Sequence, residues 1–184
     1  MIENELRAGE KIYWKGNPRQ GLKLRASDIF LIPFSLLWGG FAIFWEFTAT
    51  SIPAKNAAPA ATIFPLFGIP FVLVGLYIII GRFFADAQIR KNTEYAVTNE
   101  RAIIVSGLFS RKVKSINLKS ISDISVSEKS DGSGTITFGE SASPYGWWMN
   151  AGFFPGMRNQ VPAFEMIENV KNVDSVIRKS QKGE

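Results

Sequence analysis

Apolar and polar positions along this chain fall into two regimes. Ile29 to Trp45 and Asn56 to Gly81 contain no Asp, Glu, Lys or Arg. Each is long enough to cross a bilayer as a helix, which needs about 20 mostly apolar residues. Only Glu46 to Lys55 separates them, so they predict a helical hairpin with spans at about 29–47 and 60–81. Pro33 falls in the first turns of the first span, where a missing N–H costs least. Pro65, Gly68, Pro70 and Gly75 interrupt the second. Those residues either kink it or let the first helix approach closely.

From about Asp86 the period changes. Thr93 to Thr98, Arg101 to Ser106, Arg111 to Leu118, Ile121 to Ser127 and Thr135 to Phe138 read as short strands, with Ile124 and Val126 on one face. Asn99-Glu100 predicts a turn, and Asp131-Gly132-Ser133-Gly134 a hairpin. Before the apolar runs, Glu10 to Trp14 reads as one more short strand, broken by Gly16-Asn17-Pro18. Pro162 predicts the start of a helix, with Phe164, Ile167, Val170, Val173 and Ile177 forming one apolar stripe. Ser141 to Gln160, rich in Gly and aromatics, has neither period and reads as a loop or irregular strand pair.

Charge adds a direction. The net charge is +5. Arg7, Lys11, Lys15, Arg19, Lys23 and Arg25 precede the first span, Arg82, Arg90 and Lys91 follow the second, and the connecting loop holds only Lys55. The positive-inside rule then places both termini in the cytoplasm. No cleavable signal peptide is expected, because the first apolar run starts late and lacks a small-residue cleavage site. The organisation expected is an N-terminal segment 1–27, a transmembrane hairpin 28–84 and a cytoplasmic domain 86–184. The competing reading is a buried hairpin in the core of a soluble protein.

Candidate chemistry is sparse. With no Cys and no His, the chain has no disulfide, no thiolate and no Ser-His-Asp triad. The carboxylates Asp86, Glu94, Asp123, Glu128, Asp131, Glu140, Glu165 and Glu168 are scattered, and Glu46 reads as interfacial. No catalytic residue, metal site or cofactor is expected. Arg111, Lys112, Lys114 and Lys119 form a basic patch, read either as a surface for anionic lipid headgroups or as a solvated strand face. Nucleic acid is not expected, since no aromatics interleave the patch and no groove-reading helix accompanies it. Trp147, Trp148, Phe153 and Phe154 either make a contact surface or fill the domain interior.

The stretch Glu94 to Gly107 resembles the opening of the bacterial pleckstrin-homology (PH) domain family, where Tyr-x-x-Thr-x-x-Arg leads into an apolar strand and a Gly. Tyr95, Thr98, Arg101 and Gly107 occupy those positions. Lys114 to Leu118, Ile121 to Ile124, Asp131 to Ile136 and the early Gly9 to Pro18 segment are similar too, while Ser141 to Met157 has no clear counterpart. The resemblance implies an α+β membrane protein: a transmembrane helical hairpin, then a PH-like antiparallel β-barrel capped by a C-terminal α-helix. It implies no enzyme activity and no cofactor. The expected role is a non-catalytic module at the bacterial cytoplasmic membrane, in contact with membrane lipids, with further copies as a homo-oligomer, or with a membrane-protein partner. The alternatives are a structural subunit whose hairpins pack side by side through Gly68 and Gly75, and an accessory subunit of a transporter. Within the motif, Tyr95 is expected in the core and Thr98 and Arg101 at the turn; a ligand contact is the other reading of Arg101.

Overall fold

The computed structural model describes residues 2–24, 27–51, 59–139 and 161–183, with backbone only for 59–65. The chain divides into two units. One holds residues from Lys23 to Ala85, and the other gathers the residues up to Leu22 with those from Asp86 on.

The first unit is a helix pair. Helix α1 runs Asp28–Thr50, and α2 runs Pro59–Leu76. A single π turn, Tyr77–Gly81, carries α2 into α3, Arg82–Lys91. The apolar composition predicted both helices; α1 and the continuous helix Leu66–Lys91, which joins α2 to α3, are long and apolar enough to cross a membrane. The buried positions of α1 are Asp28, Leu31, Ser35, Gly39 and Ala42, a stripe of mostly small residues at three- and four-residue spacing. Phe30, Leu37, Phe41, Phe44 and Phe47 point outward.

Glycines set the approach. A Cβ on Gly75 would lie 3.0 Å from the Cα of Gly39, backbone against backbone. A Cβ on Gly68 would fall 1.7 Å from Oε2 of Glu46. Gly68 and Gly75 therefore face α1 of the same chain, and they are not free for side-by-side packing of hairpins. That oxygen of Glu46, expected at the interface, is buried here against α2. We expect Gly75→Leu to force α1 and α2 apart and cost about 1–3 kcal/mol. Gly40→Leu meets open space and should be nearly neutral. Thermal unfolding of both variants in detergent checks this; equal melting temperatures would refute the crossing.

In the second unit, β1 Ile12–Gly16, β2 Glu94–Thr98, β3 Arg101–Ser106 and β4 Lys112–Asn117 make one antiparallel sheet in that order. Strands β5 Ile124–Glu128, β6 Gly134–Phe138 and β7 Ala163–Ile167 make a second. The expected antiparallel barrel is left open among the described residues, as two separate sheets. The short turn Leu118–Ser120 breaks the chain after β4, so β4 and β5 stay unpaired edges of separate sheets. Residues Tyr95, Val97, Ala102, Ile104, Ile116, Ile136, Phe138 and Phe164 instead form a shared core. Phe164 is its hub, with ring centroids 4.7 Å from Tyr95, 4.9 Å from Phe138 and 5.7 Å from Trp14.

Pro162 does not begin a helix. The chain from Ala163 to Ile167 is β7, and helix α4 starts only at Val170, ending at Lys182. Phe164 and Ile167 are three apart, which mimics helical spacing. A bulge explains it: Ile136 pairs with Phe164, but Gly134, two residues earlier, pairs with Ile167. The extra residue is absorbed where Met166 takes a positive φ of 52°, so both apolar side chains reach the core. Val170, Val173 and Ile177 do lie on one buried face of α4, as their spacing predicts.

The other face of the four-stranded sheet has its own small core of Ala96, Ile103 and Val105. It is covered by the N-terminal residues Ile2 and Leu6. Ile2 is fully buried there, and its N–H donates to Glu94 at 2.9 Å.

Candidate functional site

The β2–β3 turn organises the motif residues. Thr98 Oγ1 accepts the N–H of Glu100 at 3.2 Å and that of Arg101 at 3.0 Å, so the threonine closes the turn as its position predicted. The same hydroxyl donates to Glu10 Oε1 at 2.7 Å. Tyr95 stacks on Phe164, and its hydroxyl accepts the N–H of Glu165 at 3.1 Å, tying one sheet to the other.

Arg101 is committed to the fold. Its Nε and Nη2 donate to the two carboxylate oxygens of Glu10, each at 2.9 Å. Nη1 donates to Ser115 Oγ at 2.7 Å, and Nη2 also to the Glu5 carbonyl at 2.6 Å. The arginine thus fastens the N-terminal cover, β1's approach and β4 to one turn. The ligand reading of Arg101 loses its basis, because the fork is already occupied. Nothing local marks Glu10 as the partner; its place beside Gly9 in the early motif was the only signal.

The Arg101 guanidinium holds the Glu10 carboxyl down to about 2 from an ordinary 4.5, helped by the Arg7 N–H and Thr98 and opposed by burial. The folded state then binds this proton less readily than the unfolded chain. Its contribution is full above about pH 4.5 and is lost as pH falls toward about 2. We expect acid unfolding of the wild type to include a loss on the order of 3 kcal/mol from this group. Glu10→Gln should flatten that part of the stability–pH curve while leaving the other carboxylates to titrate. Parallel curves for the two proteins would refute the assignment.

The predicted basic patch is only partly assembled. Arg111, Lys112 and Lys114 lie together at the start of β4, exposed on the open edge of the sheet. Arg111 pairs with Glu5 at 3.0 Å yet stays 44% exposed. Lys119 sits past the far end of β4, about 20 Å along the strand from Lys112. Lysines on an edge strand also deter pairing with another sheet. Gly107 opens the β3–β4 loop. Its φ is +153°, and a Cβ would sit 1.9 Å from the Ser110 carbonyl oxygen, so only glycine fits. Trp147, Trp148, Phe153 and Phe154 lie outside the described residues. Among the described residues, no group of His, Cys, Asp or Glu is placed to hold a metal ion.

The sheet register locates this basic corner. Gly16 pairs with Tyr95, Tyr95 with Ile104, and Ile104 with Lys114, all in one row. The chain leaves the four-stranded sheet after Gly16, stays with this unit as far as Leu22, where the Arg19 N–H on the way donates to the Met166 carbonyl at 2.9 Å, and re-enters the sheet at Glu94 after α3. The apolar helices are therefore an insertion between two neighbouring strands. The basic start of β4 lies at the same end of the sheet as both junctions.

A family model described as bacterial PH domain matches residues 40–180. None of the curated proteins matches the chain. Among solved structures, a DUF1696 family protein with a pleckstrin-homology domain, from Shewanella loihica PV-4, is similar over 48% of this chain and 70% of its own. The two are 14% identical, with a TM-score of 0.33.

Proposed function

This chain belongs to the bacterial PH domain family, and we propose on that basis that it is a non-catalytic binding module, held by its helical hairpin at the cytoplasmic face of a bacterial membrane. The basic corner at Arg111, Lys112 and Lys114 meets anionic lipid headgroups there. One observation carries the reading: the apolar helices are inserted between β1 and β2, so both tethers leave the sheet at the end that bears these cations.

The helices support lipid as their surroundings. Only 28% and 22% of their apolar windows is buried. The core helix of a soluble protein is mostly buried, whereas a helix that is apolar all round belongs in lipid. Each cation near an anionic surface contributes about 1 kcal/mol and is screened by salt.

The full-length protein tests this. It should stay in the membrane pellet under alkaline carbonate, and its C-terminal part should be cut by protease only after spheroplasts are opened. Release by carbonate, or cleavage from outside intact spheroplasts, would overturn the assignment.

A further inference from the structure

Phe109, at the tip of the β3–β4 loop, is 98% exposed, more than any other large apolar side chain among the described residues. Half-buried Leu108 precedes it, and exposed Ser110, Arg111 and Lys112 follow. The tip is held in place. Gly107 folds the loop tightly onto Ser110. Asn92 Nδ2 donates to the Gly107 carbonyl at 3.2 Å, fastening the loop to the residue that follows α3.

A fully exposed phenylalanine on a pinned turn does nothing for the domain's own core. Beside two cations it has the chemistry of an interfacial anchor: an apolar ring for the headgroup–acyl boundary and charges for lipid phosphates. Residues 107–112 contain no carboxylate of their own, and the one carboxylate that reaches them is Glu5, paired with Arg111 at 3.0 Å. The loop springs from the end of the sheet that carries both junctions to the apolar helices.

We propose that the β3–β4 loop docks on the bilayer that holds the hairpin, with Phe109 entering the headgroup layer and Arg111 and Lys112 lying among anionic lipid phosphates. This rests on the membrane reading above and adds an apolar contact to it. The partner is the lipid surface itself, on charge complementarity and on the position of the junctions.

The absence of cysteine allows a clean test in the full-length protein. Ser110→Cys carries an environment-sensitive dye, and Ser120→Cys, past the far end of β4, carries the same dye as control. Both are reconstituted into vesicles of phosphatidylcholine with or without phosphatidylglycerol. The dye at 110 should shift to the blue and be quenched by lipids brominated near the headgroup, more so with phosphatidylglycerol, while the dye at 120 keeps its aqueous spectrum. Adding Phe109→Ser should lower the docked-to-free ratio roughly tenfold, the contribution of one aromatic side chain. An aqueous spectrum at 110, or a blue shift without lipid quenching, would overturn the proposal; the second would mean that protein covers the loop. Carbonate extraction of the same vesicles separates the two readings, since a retained protein with an aqueous loop refutes only the docking.

Discussion

Arg101→Ala is expected to cost about 3–5 kcal/mol, the usual penalty for removing one partner of a buried ion pair. Glu10, whose side chain is fully buried, would lose its fork of two 2.9 Å bonds and keep a charge with only Thr98 and the Arg7 N–H to answer it. The Glu5 carbonyl and Ser115 would lose their donor as well. Hydrogen exchange on the full chain in detergent should show lost protection in β1, β2 and β3 and in the N-terminal cover. Arg101→Lys should rescue little, because a point-charge ammonium cannot span both oxygens. A loss under about 1 kcal/mol would place this pair with ordinary surface ion pairs and would reopen Arg101 as a ligand contact.

Asp28→Leu is the second large effect expected. Arg82 Nη1 donates to Asp28 Oδ1 at 2.6 Å, and its Nε donates to the Ile78 carbonyl at 2.8 Å. The two side chains are 3% and 6% exposed, and Nη2 of Arg82 is buried with no hydrogen-bond partner. Without Asp28 the guanidinium keeps one carbonyl and the nearby Phe83 ring, 4.3 Å from its carbon. The loss should again be about 3–5 kcal/mol, read as a lower melting temperature and faster exchange in α1 and α2. The double variant Asp28→Leu/Arg82→Leu should recover most of it, since an apolar pair of similar size avoids the desolvation cost. A double variant as unstable as the single would refute a paired role. The pair joins the start of α1 to the start of α3, at the open end of the hairpin, and Gly39 against Gly75 closes the middle.

The PH-like domain is divided here by the helices inserted between β1 and β2. A fragment starting at Thr93 would omit β1 and the Ile2–Leu6 cover, exposing the edge of β2 and the small second core. It would also leave Arg101 without Glu10. Binding experiments therefore need the full chain.

Much of the fold was legible because burial and period are local. The uncharged runs predicted α1 and α2, alternation predicted β4 and β5, and the turn sequences at Asn99-Glu100 and Asp131–Gly134 predicted their hairpins. Asp131 shows why the last works: its Oδ1 accepts the Ser133 N–H at 3.0 Å, which fixes the turn from within. Phe164 and Ile167 misled because a bulge gives a strand, over three residues, the spacing of a helix. The basic run from Arg111 to Lys119 misled in part, because strand and turn geometry carry its two ends apart. Phe109 carried no signal at all, since one aromatic in a polar loop reads the same whether its ring is buried or bare.

The sequence alone determined which segments are apolar on every side, where strands and turns fall, and that Cys- and His-based chemistry is absent, because each of these depends on neighbours within a few positions. Only the tertiary structure decided that β1 pairs across the inserted helices, that Glu10 and Arg101 share two hydrogen bonds, that Gly75 meets Gly39, and that Phe109 stands clear beside two cations. Those depend on which distant residues come to share a register or a crossing, and a long-range pairing leaves no periodic trace in the chain that makes it.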